Sequence, residues 1–268
     1  PLTAAGLSHD ANVVRAYRAD PLVHDRVSMA LGVDLLDLGV QLLEEAPAYV
    51  VGYLLWLLPQ ITVLFLMSFL DRYTFLRNSP NLLIALRIAG LIMVLTGGVW
   101  AAFQRHLGRL MGYAVIAETG FMLVALGLGT SNGIQAIFLQ IIPRGIGLAV
   151  WALSLSIIEA QVQPPTFANV QGAARAVPFA TAGLALASLS TVGFPLLAGF
   201  PARLALTEGL AAISSVQALL FMLGLLGLLI GAVRTMAVSV MAPVNTPWEQ
   251  RETRVQAALI SLGVLALF

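Results

Sequence analysis

Apolar residues run through this chain in six long stretches, near 48–70, 82–103, 110–130, 134–158, 176–198 and 215–240, with short polar breaks between them. A bilayer core about 30 Å thick takes about 20 apolar residues per helical crossing. The pattern therefore predicts an all-α, polytopic transmembrane bundle of six full spans. A last apolar run, Val255–Phe268, ends about six residues short of a crossing and reads as a partial seventh. The links at 104–109 and 131–133 are so short that the second, third and fourth spans must lie side by side as antiparallel neighbours.

Residues 1–46 follow a different rule. Asp20-Pro21 suits a helix start, and Val27, Leu31, Leu35, Leu38 and Leu42 then recur at helical spacing opposite Asp34, Asp37, Gln41 and Glu45. This predicts an acidic, amphipathic helical segment on the cytoplasmic side, followed from residue 47 by the membrane domain. It has neither the basic start nor the apolar centre of a signal peptide. With Pro1 at its start and a short last span, the chain is expected to be part of a longer polypeptide or a truncated gene product.

Composition sharpens this picture. Hydrophobic residues make up 59% of the chain and charged residues 10%, against about 25% charged in soluble domains. The net charge is +1 and no basic patch occurs, which argues against a nucleic-acid partner. Cysteine is absent, so quinone and redox centres are expected only on partner subunits, with no cofactor in this chain. All 14 basic residues are arginine, and arginine keeps its proton at physiological pH. Arg105, Arg109, Arg175, Arg251 and Arg254 fall at one membrane face, against Arg72, Arg77 and, depending on where the fifth span ends, Arg203. The positive-inside bias makes the first face, with the N-terminus, cytoplasmic, as in a bacterial inner membrane.

The candidate chemistry lies in polar residues placed inside apolar spans, which are normally paired or line a wet path. These are Glu118 and Arg144, with Arg87, Arg203 and Arg234 behind them. Glu118 and Arg144 lie equally far from the turn near Ser131, about 20 Å at 1.5 Å per residue. They are expected to form an ion pair, with Gly145 and Gly147 easing the helix approach. Such a pair either pins two helices or belongs to an ion pathway. In the fifth stretch, Gly193, Pro195, Gly199 and Pro201 predict either a discontinuous helix or a kinked, re-entrant span. Soluble catalytic signatures are missing, and His9, His24 and His106 have no metal-ligand spacing.

The run Arg109-Leu-Met-Gly-Tyr-Ala-Val-Ile-Ala-Glu-Thr-Gly-Phe121, then Leu189-Ser-Thr-Val-Gly-Phe-Pro-Leu-Leu-Ala-Gly-Phe200 and Arg203, resembles the antiporter-like membrane subunits of proton-pumping NADH:quinone oxidoreductase (complex I) and of Mrp-type antiporters. The resemblance covers about residues 48–268. It implies one of two inverted repeats of about five helices, the second, with a broken helix at the fifth span. It also implies a line of Lys, Glu and His through the mid-membrane, on which Arg203 takes the place of a family lysine and Arg234 a basic position on the next span. The family's His-x-x-x-Lys falls instead on Pro143 and Gly147. Separately, Leu7-Ser-His-Asp and Arg18-Ala-Asp-Pro-Leu-Val-His-Asp-Arg26 resemble a cap-region piece of monoacylglycerol-lipase-type α/β hydrolases, without a nucleophile elbow.

The resemblance implies a membrane-arm subunit, or a fragment of one, in proton or cation translocation coupled to quinone reduction by partner membrane subunits. At most it is a non-catalytic part of the translocase. Glu118 and Arg203 would shape the pathway, Arg144 would set the charge state of Glu118, and the breaks at Gly193–Pro201 would line it. The alternative is a structural scaffold that has lost its ion-pathway residues, which the all-arginine basic set favours.

Overall fold

The computed structural model describes residues 48–241 and 248–268. The expected amphipathic helix and the hydrolase-like stretch lie outside the described residues. Contacts divide the chain into Pro1–Ala46 and Pro47–Phe268, and all described residues belong to the second unit.

That unit is helical. Among the described residues, five helices are long and apolar enough to cross a membrane: α1 (Ala48–Arg72), then, after the short α2 (Thr74–Arg77), α3 (Pro80–Phe103), α4 (Leu107–Gly127) and α5 (Ser131–Gln161), and later α9 (Ser215–Val240). Between α5 and α9 lie the single turn α6 (Ala173–Ala176), α7 (Pro178–Val192) and α8 (Phe200–Ile213), and α10 (Arg254–Leu265) closes the chain. The protein is an integral membrane helical bundle. The span expected at 176–198 is corrected. Its helix stops after 15 residues, about 22 Å at 1.5 Å per residue, and α8 begins only at Phe200.

Local chemistry sets these boundaries. Thr130 accepts from the Gly133 N–H at 3.3 Å and starts α5 directly after the turn that ends α4. Thr253 and Gln256 form a reciprocal capping box at the start of α10. At the start of α7, Val177 has no capping side chain and Pro178 no N–H. The Glu252 carboxylate, 72 residues on, accepts from Ala180 N–H at 2.6 Å and from Phe179 N–H at 3.1 Å. Arg251 N–H donates to the Ala176 carbonyl at 2.8 Å. Glu252 is thus a tertiary N-cap whose charge also suits the positive helix end. Glu252→Ala should cost about 1–2 kcal/mol, read as a lower unfolding temperature, whereas Glu252→Gln should lose less. Equal losses would discard the charge contribution.

Fourteen of the 21 residues of α4 are buried, against five of 25 in α1, so α4 is central and α1 peripheral. Glycines let α3 approach both of its main partners. A Cβ on Gly90 would lie 2.6 Å from the Gly120 carbonyl oxygen of α4, and one on Gly98 would overlap the Gly224 carbonyl of α9. Such small-residue seams let packing attraction act where lipid supplies no hydrophobic drive. The described residues form two apolar clusters. One holds Leu107, Met111, Ala114, Ala117, Leu155, Leu184 and Leu228. The other holds Val63, Phe121, Met122, Ile137, Leu206 and Phe221. Glu118 lies between Ala117 of the first and Phe121 of the second, near the middle of α4.

Candidate functional site

The break after α7 is built by backbone geometry. Gly193 takes φ 84°, a left-handed conformation that glycine adopts without steric cost. Gly193 N–H bonds the Ser190 carbonyl at 3.0 Å and Phe194 N–H the Leu189 carbonyl at 3.0 Å, the Schellman arrangement that ends a helix. Pro195 lies within the connection, and Pro201 sits in the first turn of α8. Gly199 lies so close to the Ser190 carbonyl that a Cβ there would overlap it.

From α8 the Arg203 side chain folds back against Gly193, where a Cβ would collide with its Cγ. Its Nη2 donates to the Thr191 carbonyl at 2.8 Å and its Nε to the same oxygen at 3.2 Å. The guanidinium so meets the negative end of α7. Arg203 Cζ lies 4.1 Å from the Phe121 ring centroid, a contact strengthened by exclusion of water. Nη2 also donates to Glu118 Oε1. The two side chains are 5% and 2% exposed, so this is an ion pair inside the bundle. Gln140 Nε2 donates to the other carboxylate oxygen at 2.9 Å, so both oxygens of Glu118 are bonded.

The expected Glu118–Arg144 pair is corrected by this arrangement. Arg144 is buried in the same region, but its Nη2 donates to Thr119 Oγ1 at 3.2 Å and its Nη1 to Met122 Sδ at 3.2 Å. Equal distance from the Ser131 turn fixes depth along the helices, not rotation about their axes. At this rotation Gln140 faces the carboxylate and Arg144 the next turn of α4. The ion-pair partner comes from α8, 85 residues away in sequence.

Arg87 and Arg234 are outside the cluster. Arg87 Nη1 donates to the Gly127 carbonyl at 3.3 Å at the end of α4. Arg234 Nη1 donates to the Ala102 carbonyl at the end of α3, and its Cζ lies 5.2 Å from the Phe167 ring centroid. Both tie cations to carbonyls at helix C-termini. His106, in the link before α4, is also remote, and burial followed by the nearby Arg109 charge lowers its pKa. Among the described residues no group of three His, Asp or Glu could hold a metal ion. Gln140 and Thr119 were not singled out from sequence, although each is a polar residue inside an apolar span and Gln140 lies one turn before Arg144.

A buried ion pair at the break of an interrupted helix, set between two apolar clusters, defines a membrane-embedded charge centre of the kind built from discontinuous helices. Residues 40–231 match the family described as NADH:quinone oxidoreductase/Mrp antiporter, transmembrane, and the chain belongs to that family.

It is 30% identical over 125 residues to NAD(P)H-quinone oxidoreductase chain 4 1 of Synechococcus sp. (strain JA-2-3B'a(2-13)), covering 47% of this chain and 24% of that protein. It is 32% identical over 111 residues to NADH-quinone oxidoreductase subunit N of Geotalea uraniireducens (strain Rf4), covering 41% and 24%. The aligned part thus spans about a quarter of these relatives' length. Among solved structures, a chain of respiratory complex I from Thermus thermophilus aligns with a TM-score of 0.63 at 21% identity, over 70% of this chain and 40% of that one. A chain of the Mrp complex from Dietzia sp. DQ12-45-1b aligns at 0.62 and 14% identity, over 70% and 44%. At these identities the structural likeness establishes the fold.

Proposed function

We propose that this chain takes part in proton or cation translocation within a larger membrane complex, coupled to quinone reduction by partner subunits that carry the quinone and redox sites. One observation carries the reading: Glu118, the one buried acidic residue among those described, is held at an interrupted helix by Arg203 and Gln140 in a chain of this family. Arg203 and Arg144 are permanent cations. Glu118 is therefore the group that exchanges a proton, and the arginines set the field in which it does so. Release from Arg203 would leave Arg144, already bonded to the adjacent Thr119, as the nearby cation. Ser188 and Thr191 border a small void with Trp151 and Leu228 beside the break.

At one end of the bundle, backbone bonds join Arg105 to Phe167 and Arg251 to Ala176. Arg203, being buried, drops out of the loop-charge comparison. The remaining asymmetry, Arg105, Arg109, Arg175, Arg251 and Arg254 against Arg72 and Arg77, supports a cytoplasmic location for this end. The buried charge cluster weighs against a scaffold that only packs.

Vesicles containing the whole assembly test the proposal. Glu118→Gln should lower quinone-coupled proton uptake several-fold, with Glu118→Asp retaining more. Unchanged uptake in Glu118→Gln would remove Glu118 from the mechanism.

A further inference from the structure

Gln60 lies at the midpoint of α1, 12 residues from Ala48 and 12 from Arg72, too deep for its short side chain to reach the interface. It is 4% exposed, and neither atom of its amide has a partner within the protein. An unpaired polar group in an apolar setting is costly, and buried polar groups are normally bonded to protein or to ordered water. The register of α1 against α5 sets the level of Gln60. Tyr49 N–H donates to Ser156 Oγ at 3.2 Å. Gly52 abuts Ala152, and Trp56 Nε1 is 3.1 Å from the position of a Cβ on Gly145. One turn further along α1 is one turn further back along α5, which brings Gln60 level with Gln140 and Ile141.

At this level and within one turn of it, other polar atoms are also without protein partners: Gln140 Oε1, Arg144 Nε and Trp56 Nε1. They include an acceptor and two donors, a set complementary to the Gln60 amide. Prolines lie at the same level on both helices, Pro59 in α1 and Pro143 in α5. Having no N–H, they deprive the Leu55 and Leu139 carbonyls of their usual helical donors. Freed backbone groups at membrane depth persist where protein or water satisfies them. A buried water needs about two to four polar partners, and this seam supplies them.

We propose that the α1–α5 seam at Gln60 is an internal water site, which joins Gln60 to Gln140 and Arg144 and extends the Glu118 centre sideways toward α1. The ligand class is water. The transport role rests on the translocation reading, whereas water binding does not.

The test uses the complete assembly and radiolytic hydroxyl labelling, which oxidises side chains beside ordered internal water. Met122, fully buried and bonded to Arg144, is the reporter. Met111, 2% exposed and in the other apolar cluster, is the control. Wild-type Met122 should be oxidised several-fold faster than Met111, and Gln60→Leu should bring it down to the Met111 rate. Proton uptake in Gln60→Leu should fall several-fold. Gln60→Met, of similar length and also apolar, guards against a packing defect by giving the same result. Equal labelling of Met122 in wild type and Gln60→Leu would overturn the site, even if Glu118→Gln abolishes uptake. Loss of labelling with uptake unchanged in both Gln60→Leu and Glu118→Gln would uphold the water site and overturn the translocation reading.

Discussion

Replacing Arg203 by methionine should be among the most destabilising single changes in this chain, about 3–5 kcal/mol, measured by unfolding of the purified assembly in nanodiscs. Methionine keeps much of the stem packing against Gly193. It removes the charge that faces Glu118, the donors to the Thr191 carbonyl and the cation on the Phe121 ring. What remains is a carboxylate 2% exposed with only Gln140 to bond it, and an uncapped end of α7. The double variant Arg203→Met with Glu118→Gln should recover a large part of the loss, because the uncompensated charge is gone. Arg144→Met should be milder, since it leaves the ion pair intact. If Arg203→Met and Arg144→Met destabilise equally, and the double variant is merely additive, Glu118 has no preferred partner and the geometry described for the centre is wrong.

A leucine at Gly98 should have an effect of comparable size through packing alone. A Cβ there overlaps the Gly224 carbonyl, and one on Gly227 overlaps the Gly98 carbonyl, so α3 and α9 meet backbone to backbone. A larger side chain must push the helices apart. Overpacking costs about 1–3 kcal/mol, occasionally more, and displacing two long helices belongs at the upper end. Gly112 on α4 is the control, having no atom within 4 Å of its Cβ position. Gly112→Ala should be neutral or stabilise by about 0.5–1 kcal/mol through helix propensity. Unfolding temperatures that fall equally for Gly98→Leu and Gly112→Ala would refute close approach as the reason for the glycine at 98.

Much of the membrane topology was legible in the sequence. The boundaries of α1, α3 and α9 fall within two residues of the apolar runs, because each run is fenced by a link of polar residues, Gly or Pro that lipid does not accept. The fifth stretch shows the limit. Leu196 and Leu197 extend its apolar run past Val192, but hydropathy counts side chains and is blind to the left-handed turn at Gly193 that stops the helix. The paired Gly and Pro positions carried that signal. Gln140 is not legible in this way, because a lone amide in an apolar run has no spacing pattern to mark it.

The sequence by itself determined that the chain spans a membrane, that Glu118 is its deep acidic residue, and that the Gly193–Pro201 stretch departs from regular helix. These are properties of local composition and of the peptide backbone. Only the tertiary structure decided that Arg203, and not Arg144, pairs with Glu118. It also placed Glu252 at the start of α7. Each of these depends on how helices distant in sequence rotate about their axes and which faces their packing brings together, and depth along a span does not fix rotation.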